Sequence, residues 1–147
     1  MSDVGDLGMQ SSLRARPAKD PITTEYWDAT LRGELLIQRC PSCGHRQHYP
    51  RAVCTECGAT PEWERASGQG KVHTFTIIRQ NYSKPFRDLV PYVVAMIELD
   101  EGPMLMGNVI DVAIDDVHID QRVAVVFETV LDSDGNPSHA VPFWRVA

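Results

Sequence analysis

The sequence predicts a mainly β protein with an N-terminal helix, a four-cysteine ribbon and a C-terminal five-stranded barrel of the OB type. Three observations predict it. Two C-x-x-C pairs, Cys40/Cys43 and Cys54/Cys57, stand ten residues apart in mid-chain. Five β-forming runs separated by turns follow Pro61. One short stretch with helical spacing precedes both. The chain has 147 residues, of which 43% are hydrophobic and 23% charged, values that suit a globular chain.

Residues 1–20 carry few apolar side chains and no periodicity, so a flexible tail is expected. Met1 to Asp20 also lacks the apolar core of a signal peptide. No apolar run approaches the roughly 18–20 residues needed to span a bilayer. A cytoplasmic protein without membrane contact is the resulting expectation.

Residues 21–34 are expected to hold the helix. Asp20 is a candidate N-cap, Pro21 suits the first helical position, and Gly33 is a candidate stop. Ile22 with Tyr26, and Trp27 with Leu31, are i,i+4 pairs that make a broad apolar face. That face either packs on the protein's own ribbon or docks a partner. Tyr26, Trp27 and Leu31 are the candidate interface residues.

Residues 35–67 should form the ribbon. Leu35 to Arg39 leads into the first cysteine pair, and Arg46 to Tyr49 returns from it as a hairpin. Each second cysteine precedes a glycine, Gly44 or Gly58. A metal knuckle turns sharply there, and glycine accepts positive φ at little cost. Paired knuckles without export signals point to a metal rather than to disulfides. Four thiolates suit tetrahedral zinc, and iron could use the same ligands. His45 and His48 lie in the intervening loop, but Cys40, Cys43, Cys54 and Cys57 already close the site. A closed site has no position for substrate, so the metal is expected to be structural.

Residues 68–147 should form the barrel. The expected strands are Lys71 to Gln80, Tyr92 to Leu99, Met104 to Ile110, Arg122 to Leu131 and Ala140 to Val146. Gly68-Gln69-Gly70-Lys71 resembles a scrap of phosphate loop, but Val72 and a strand follow, so it reads as a strand entry. Asp132-Ser133-Asp134-Gly135 lacks the spacing of a calcium loop. No nucleophile-and-base arrangement or dinucleotide fingerprint is visible, so no catalytic residue is expected.

Charge narrows the function further. The whole chain has a formal net charge of −6. Residues 68–147 hold 6 basic and 11 acidic side chains, a net −5. A single-stranded nucleic-acid-binding ribbon and barrel is the alternative function, and this sign disfavours it. Yet Lys71, Arg79, Lys84 and Arg87 are interleaved with Phe75, Tyr82 and Phe86, with no acid between Lys71 and Arg87. Cations and aromatic faces in one stretch suit a nucleotide, including the nucleotide end of coenzyme A. Arg79, Lys84, Phe86 and Arg87 are the coenzyme A candidates on composition.

The order of elements resembles a known family. Tyr26-Trp27 and Leu31-Arg32-Gly33-Glu34-Leu35 run into Cys40-Pro41-Ser42-Cys43-Gly44. Pro50-Arg51, the second knuckle, Trp63 and Ser67-Gly68-Gln69-Gly70-Lys71-Val72 come next. Pro91-Tyr92-Val93-Val94-Ala95 and Val123-Ala124-Val125-Val126-Phe127-Glu128 complete the pattern. Together these resemble the domain of unknown function 35 (DUF35) family of acyl-CoA-associated proteins. The resemblance implies a rubredoxin-like zinc ribbon joined to an OB barrel. It implies an accessory subunit in a hetero-oligomer with a thiolase-like or aldolase partner, which holds the catalytic residues and acts on acyl-CoA. It also places the metal on Cys40, Cys43, Cys54 and Cys57. One departure stands out: Asp120-Gln121-Arg122 lies before the fourth strand, where many relatives carry glycine.

Overall fold

The computed structural model describes residues 15–147, so residues 1–14 of the expected tail lie outside the described residues. Residues 15–20 have no regular secondary structure. Lys19 is nevertheless tied down, donating to Ser138 O at 2.7 Å and pairing with Asp28 at 3.1 Å.

Helix α1, Thr24–Leu31, takes eight residues of the expected 21–34 segment. Asp20 does organise a turn, but the helix itself begins about one turn later than expected. Its Oδ1 accepts from Ile22 N at 2.9 Å and Thr23 N at 2.7 Å. Pro21 therefore sits in a turn, and Thr23 takes the N-cap position. The C-terminus follows expectation: Gly33 has φ +72, Gly33 N bonds Thr30 O, and Glu34 N bonds Ala29 O. This double bond pattern satisfies the last carbonyls.

The buried helix face is Tyr26, Ala29 and Thr30, whereas Ile22 and Leu31 remain 39% exposed. This corrects the expected i,i+4 stripe. Small Ala29 and Thr30 allow close approach to the barrel, and Thr30 Oγ1 accepts the Ala140 N–H at 2.9 Å. Tyr26, expected at a partner interface, is instead a core residue at 8% exposure.

The ribbon contains β1, Leu36–Arg39; β2, Arg46–Gln47; and β3, Glu62–Arg65. They form an antiparallel sheet in the order β2-β1-β3. The third strand was not expected, because Glu62-Trp63-Glu64-Arg65 is short and mostly charged. Cross-sheet pairing explains it. Arg46 on β2 makes two bonds to the Glu64 carboxylate on β3, at 2.8 and 3.0 Å. That bond holds the Glu64 carboxyl below its ordinary range.

The barrel contains β4, Gln69–Ile78; β5, Tyr92–Leu99; β6, Met104–Ile110; β7, Arg122–Leu131; and β8, Pro137–Val146. Its closed order is β4-β5-β6-β8-β7. All neighbours are antiparallel except β6 and β8, which pair in parallel only at Val109 with Trp144 and Ile110 with Arg145. The glycines at the strand entry have a steric cause. Gly68 has φ +77, and a Cβ on Gly70 would lie 2.6 Å from Glu98 O.

The connection from β6 to β7 contains a single 3₁₀ turn, Ile114–Asp116. Asp120, in the segment just before β7, adopts φ +66. This left-handed conformation favours glycine, and aspartate is among the residue types that tolerate it. One core runs through the molecule: Tyr26 of the helix and Leu35 and Ile37 of the ribbon segment pack with Val72, Ile97, Val123 and Trp144 of the barrel. No helix among the described residues is long and apolar enough to cross a membrane.

Candidate functional site

The two knuckles are built alike. Gly44 N donates to Cys40 O and Gly58 N to Cys54 O, at 2.8 and 2.9 Å, with φ of +77 and +79 at the glycines. Cys40 N bonds His45 O, and Cys54 N bonds Ala59 O. These turns aim all four Sγ atoms at one point. The Sγ atoms of Cys40, Cys43, Cys54 and Cys57 lie within 4.8 Å of one another. Cys40 and Cys57 approach to 3.4 Å, and Cys43 and Cys54 to 3.7 Å. A tetrahedron with Zn–S of about 2.3 Å has edges of about 3.8 Å, so the thiols fit zinc.

Thiol electrostatics agree with that fit. Backbone N–H groups, Cys43's above all, bring the Cys40 thiol down to about 6. The Cys43 thiol receives the His45 N–H, yet burial and the neighbouring sulfurs push it up to about 12. Cys54 is lowered, chiefly by the Cys57 N–H, while Cys57 is raised by its sulfur neighbours despite the Ala59 N–H. Four thiolates this close repel, and a divalent cation removes the conflict. Neither histidine of the loop belongs to this set of four. The site is closed and structural in design.

Two glutamines that sequence reasoning missed fasten the knuckles together. Gln38 and Gln47 face each other across β1 and β2. Gln47 Nε2 donates to Gln38 Oε1 at 2.8 Å, and Gln38 Oε1 also accepts from Arg51 N. Gln47 Oε1 accepts Thr55 N at 3.0 Å inside the second knuckle. Two buried amides flanking a C-x-x-C pair are the signal that could have revealed this network.

Two clefts flank the helix. One, of about 470 Å³, is lined by Arg16, Trp27, Phe86, Val130 and His139 among others. Burial, then the nearby Lys19 and Arg16 charges, lower the His139 pKa. The other, of about 380 Å³, lies between α1, the ribbon and the separated parts of β6 and β8. His48 lines it, packed against Tyr26 and Tyr49 at ring distances of 5.8 and 4.5 Å. Burial pushes the His48 imidazole down to about 4.

A pH dependence follows. The unfolded chain binds a proton at His48 below about 6.5, whereas the folded chain refuses it until about 4. Stability contributed above 6.5 is therefore lost progressively as pH falls to 4, by up to about 3 kcal/mol. His48→Phe should flatten that limb. Denaturant titrations of both proteins in excess zinc, at several pH values between 7.5 and 4.5, read it directly.

The coenzyme A candidates share one region, the end of β4 and its connection to β5. Arg79, Lys84 and Arg87 are exposed and make no ion pair among the described residues. Phe86 is half-buried, 6.2 Å from the Tyr92 ring. Lys71 is withdrawn from the basic stretch, pairing with Glu98 and Asp120 at 3.8 Å each. Phe75 packs against the core. Of the interface candidates, Leu31 is exposed and Trp27 half-buried, its ring 5.3 Å from that of His139.

Family models match both parts of the chain: the ChsH2 rubredoxin-like zinc ribbon domain over residues 27–64, and the ChsH2 C-terminal OB-fold domain over residues 63–128. A DUF35 domain-containing scaffold protein of Methanocaldococcus jannaschii is 36% identical over 121 residues, covering 80% of this chain and 84% of its own. The chain belongs to the DUF35 family. A solved structure titled Ltp2-ChsH2(DUF35) aldolase matches with TM-score 0.75 and 30% identity, over 89% of this chain and 98% of that one. A probable enoyl-CoA hydratase alpha subunit of Thermomonospora curvata is 32% identical over 139 residues, 92% of this chain. This DUF35 chain spans only 41% of that relative's length.

Proposed function

We propose that this chain is a non-catalytic subunit of an acyl-CoA-processing complex. It supports a thiolase-like or aldolase partner that makes or breaks carbon–carbon bonds. The likeness over 98% of a DUF35 chain from an aldolase structure carries this reading. The metal centre supports it, because all four cysteines of the chain stand in the ribbon and serve as a closed ligand set. The ribbon supplies rigidity, and the partner supplies the nucleophile and base. A rigid neighbour can hold the partner's substrate channel in one shape and exclude water from it.

Affinity purification of the tagged chain from its native cells, with mass spectrometry of what accompanies it, tests the reading. A stoichiometric thiolase-like or aldolase subunit is the expected result. Recovery of the chain alone, or with nucleic acid, overturns it.

Coenzyme A contact is the finer part of the proposal. The exposed cations Lys84 and Arg87 stand on one loop beside Phe86, where they can meet phosphates while the ring meets adenine. Lys84→Glu combined with Arg87→Glu should raise the reconstituted complex's KM for acyl-CoA several-fold with little change in kcat. Steady-state kinetics at low and high salt check this, since a contact of this kind weakens as salt rises. An unchanged KM removes these residues from the coenzyme A site.

A further inference from the structure

The cleft of about 380 Å³ between helix, ribbon and barrel falls within the size range of small-molecule sites. Three separate elements build it. Trp27 comes from α1, His48 and Tyr49 from the ribbon, and Met106 and Pro142 from β6 and β8. It opens where β6 and β8 run unpaired, beyond their short parallel contact at Val109 and Trp144. Tyr49 and Met106 are 53% and 61% exposed, so the apolar wall reaches the surface.

Charge decides what could enter. None of the thirteen lining residues carries a formal charge, whereas the neighbouring cleft contains Arg16. A phosphate or carboxylate entering here would lose water and gain no counter-charge. An apolar body would lose nothing of that kind and would meet aromatic faces.

One polar atom of a residue lining this cleft lacks a partner. His48 Nδ1 is buried and makes no hydrogen bond among the described residues. Buried polar nitrogens are rarely left so. An imidazole accepts or donates at Nδ1 according to its tautomer, so a ligand carbonyl, hydroxyl or N–H could satisfy it. The ring is uncharged at neutral pH, its pKa lowered by burial, so it adds no cation to the cleft.

We propose that this cleft binds a small uncharged ligand with a flat apolar body and one hydrogen-bonding group. The body lies against Trp27, Tyr49, Met106 and Pro142, and the polar group meets His48 Nδ1. This site is distinct from the basic β4–β5 connection and does not depend on which partner the chain serves.

The test uses the zinc-loaded full chain and N-phenyl-1-naphthylamine, an uncharged fluorophore with one N–H. Saturable single-site binding is expected. Met106→Trp, which fills the cleft from its exposed rim, should weaken binding about tenfold or more. His48→Phe should weaken it about three- to tenfold, the value of one hydrogen bond. The same variant should leave 1-phenylnaphthalene, which has no N–H, unaffected. Phe86→Ala alters the neighbouring cleft and should change neither probe. Zinc content and circular dichroism establish that each variant is folded, and Pro142→Trp replaces any variant that is not. Absence of saturable binding overturns the proposal. Loss of binding in Phe86→Ala but not in Met106→Trp overturns it equally. An equal effect of His48→Phe on both probes overturns the role of Nδ1.

Discussion

Cys40→Ala should abolish zinc binding and unfold the ribbon while the barrel stays folded. The expected effect is large. A structural four-thiolate site supplies roughly 10–16 kcal/mol of apparent binding free energy in isolated zinc modules. Beyond the metal, the ribbon rests on the Gln38–Gln47 amides, the Arg46–Glu64 pair and its contact with the shared core. Its strands are 4, 2 and 4 residues long, and strands this short do not persist unaided. The barrel should lose some stability but keep its fold, because Leu35 and Ile37, at 2% and 0% exposure, belong to the core shared with Trp144 and Ile97. The helix faces the same core through Tyr26. Elemental analysis should show one zinc per chain in the wild type and none in the variant. Hydrogen exchange should show protection lost over residues 36–65 and retained over β4–β8. A colourless wild type with stoichiometric zinc also separates zinc from iron. A variant without zinc that kept full protection in the ribbon would show the metal to be dispensable.

Legibility in the sequence followed the range of the forces involved. The clustering of the four cysteines was readable because a knuckle is local: two cysteines three positions apart and a glycine after them set the turn without outside help. Strand β5 and strand β6 were readable to the residue, since their apolar runs end at the turn Asp100-Glu101-Gly102-Pro103. Strand β3 was not, because Glu62–Arg65 has no strand signal of its own and becomes one by pairing with β1 and by the Arg46–Glu64 bond. The helix face was misjudged for the same reason. Periodicity favoured the larger side chains, Ile22 and Leu31, while docking chose Ala29 and Thr30 because they are small. The cleft beside His48 could not be read at all. It depends on where β6 and β8 separate, and that is set by barrel closure rather than by any local pattern.

Closure between β6 and β8 rests on two residue pairs, and the first of them leads to the second large effect. Trp144 is 1% exposed and stands opposite Val125 on β7 and Val109 on β6. With Arg145, it is thus where the last strand joins both neighbours. Trp144→Ala should cost about 3–5 kcal/mol, through lost burial and the cavity left behind. Gly107 on β6 shows how tightly the indole is held. A Cβ there would lie 2.7 Å from both Trp144 Cδ1 and Nε1. Gly107→Ala alone should therefore cost about 1–3 kcal/mol by overpacking. In the Trp144→Ala background the same methyl has the vacated space to enter, and its cost should vanish. The two substitutions should fall short of additivity by about 1–3 kcal/mol, as contacting residues do. Urea denaturation of the four zinc-loaded proteins measures the cycle. Additive losses would mean that the indole moves aside freely and that closure between β6 and β8 is carried by the backbone pairs alone.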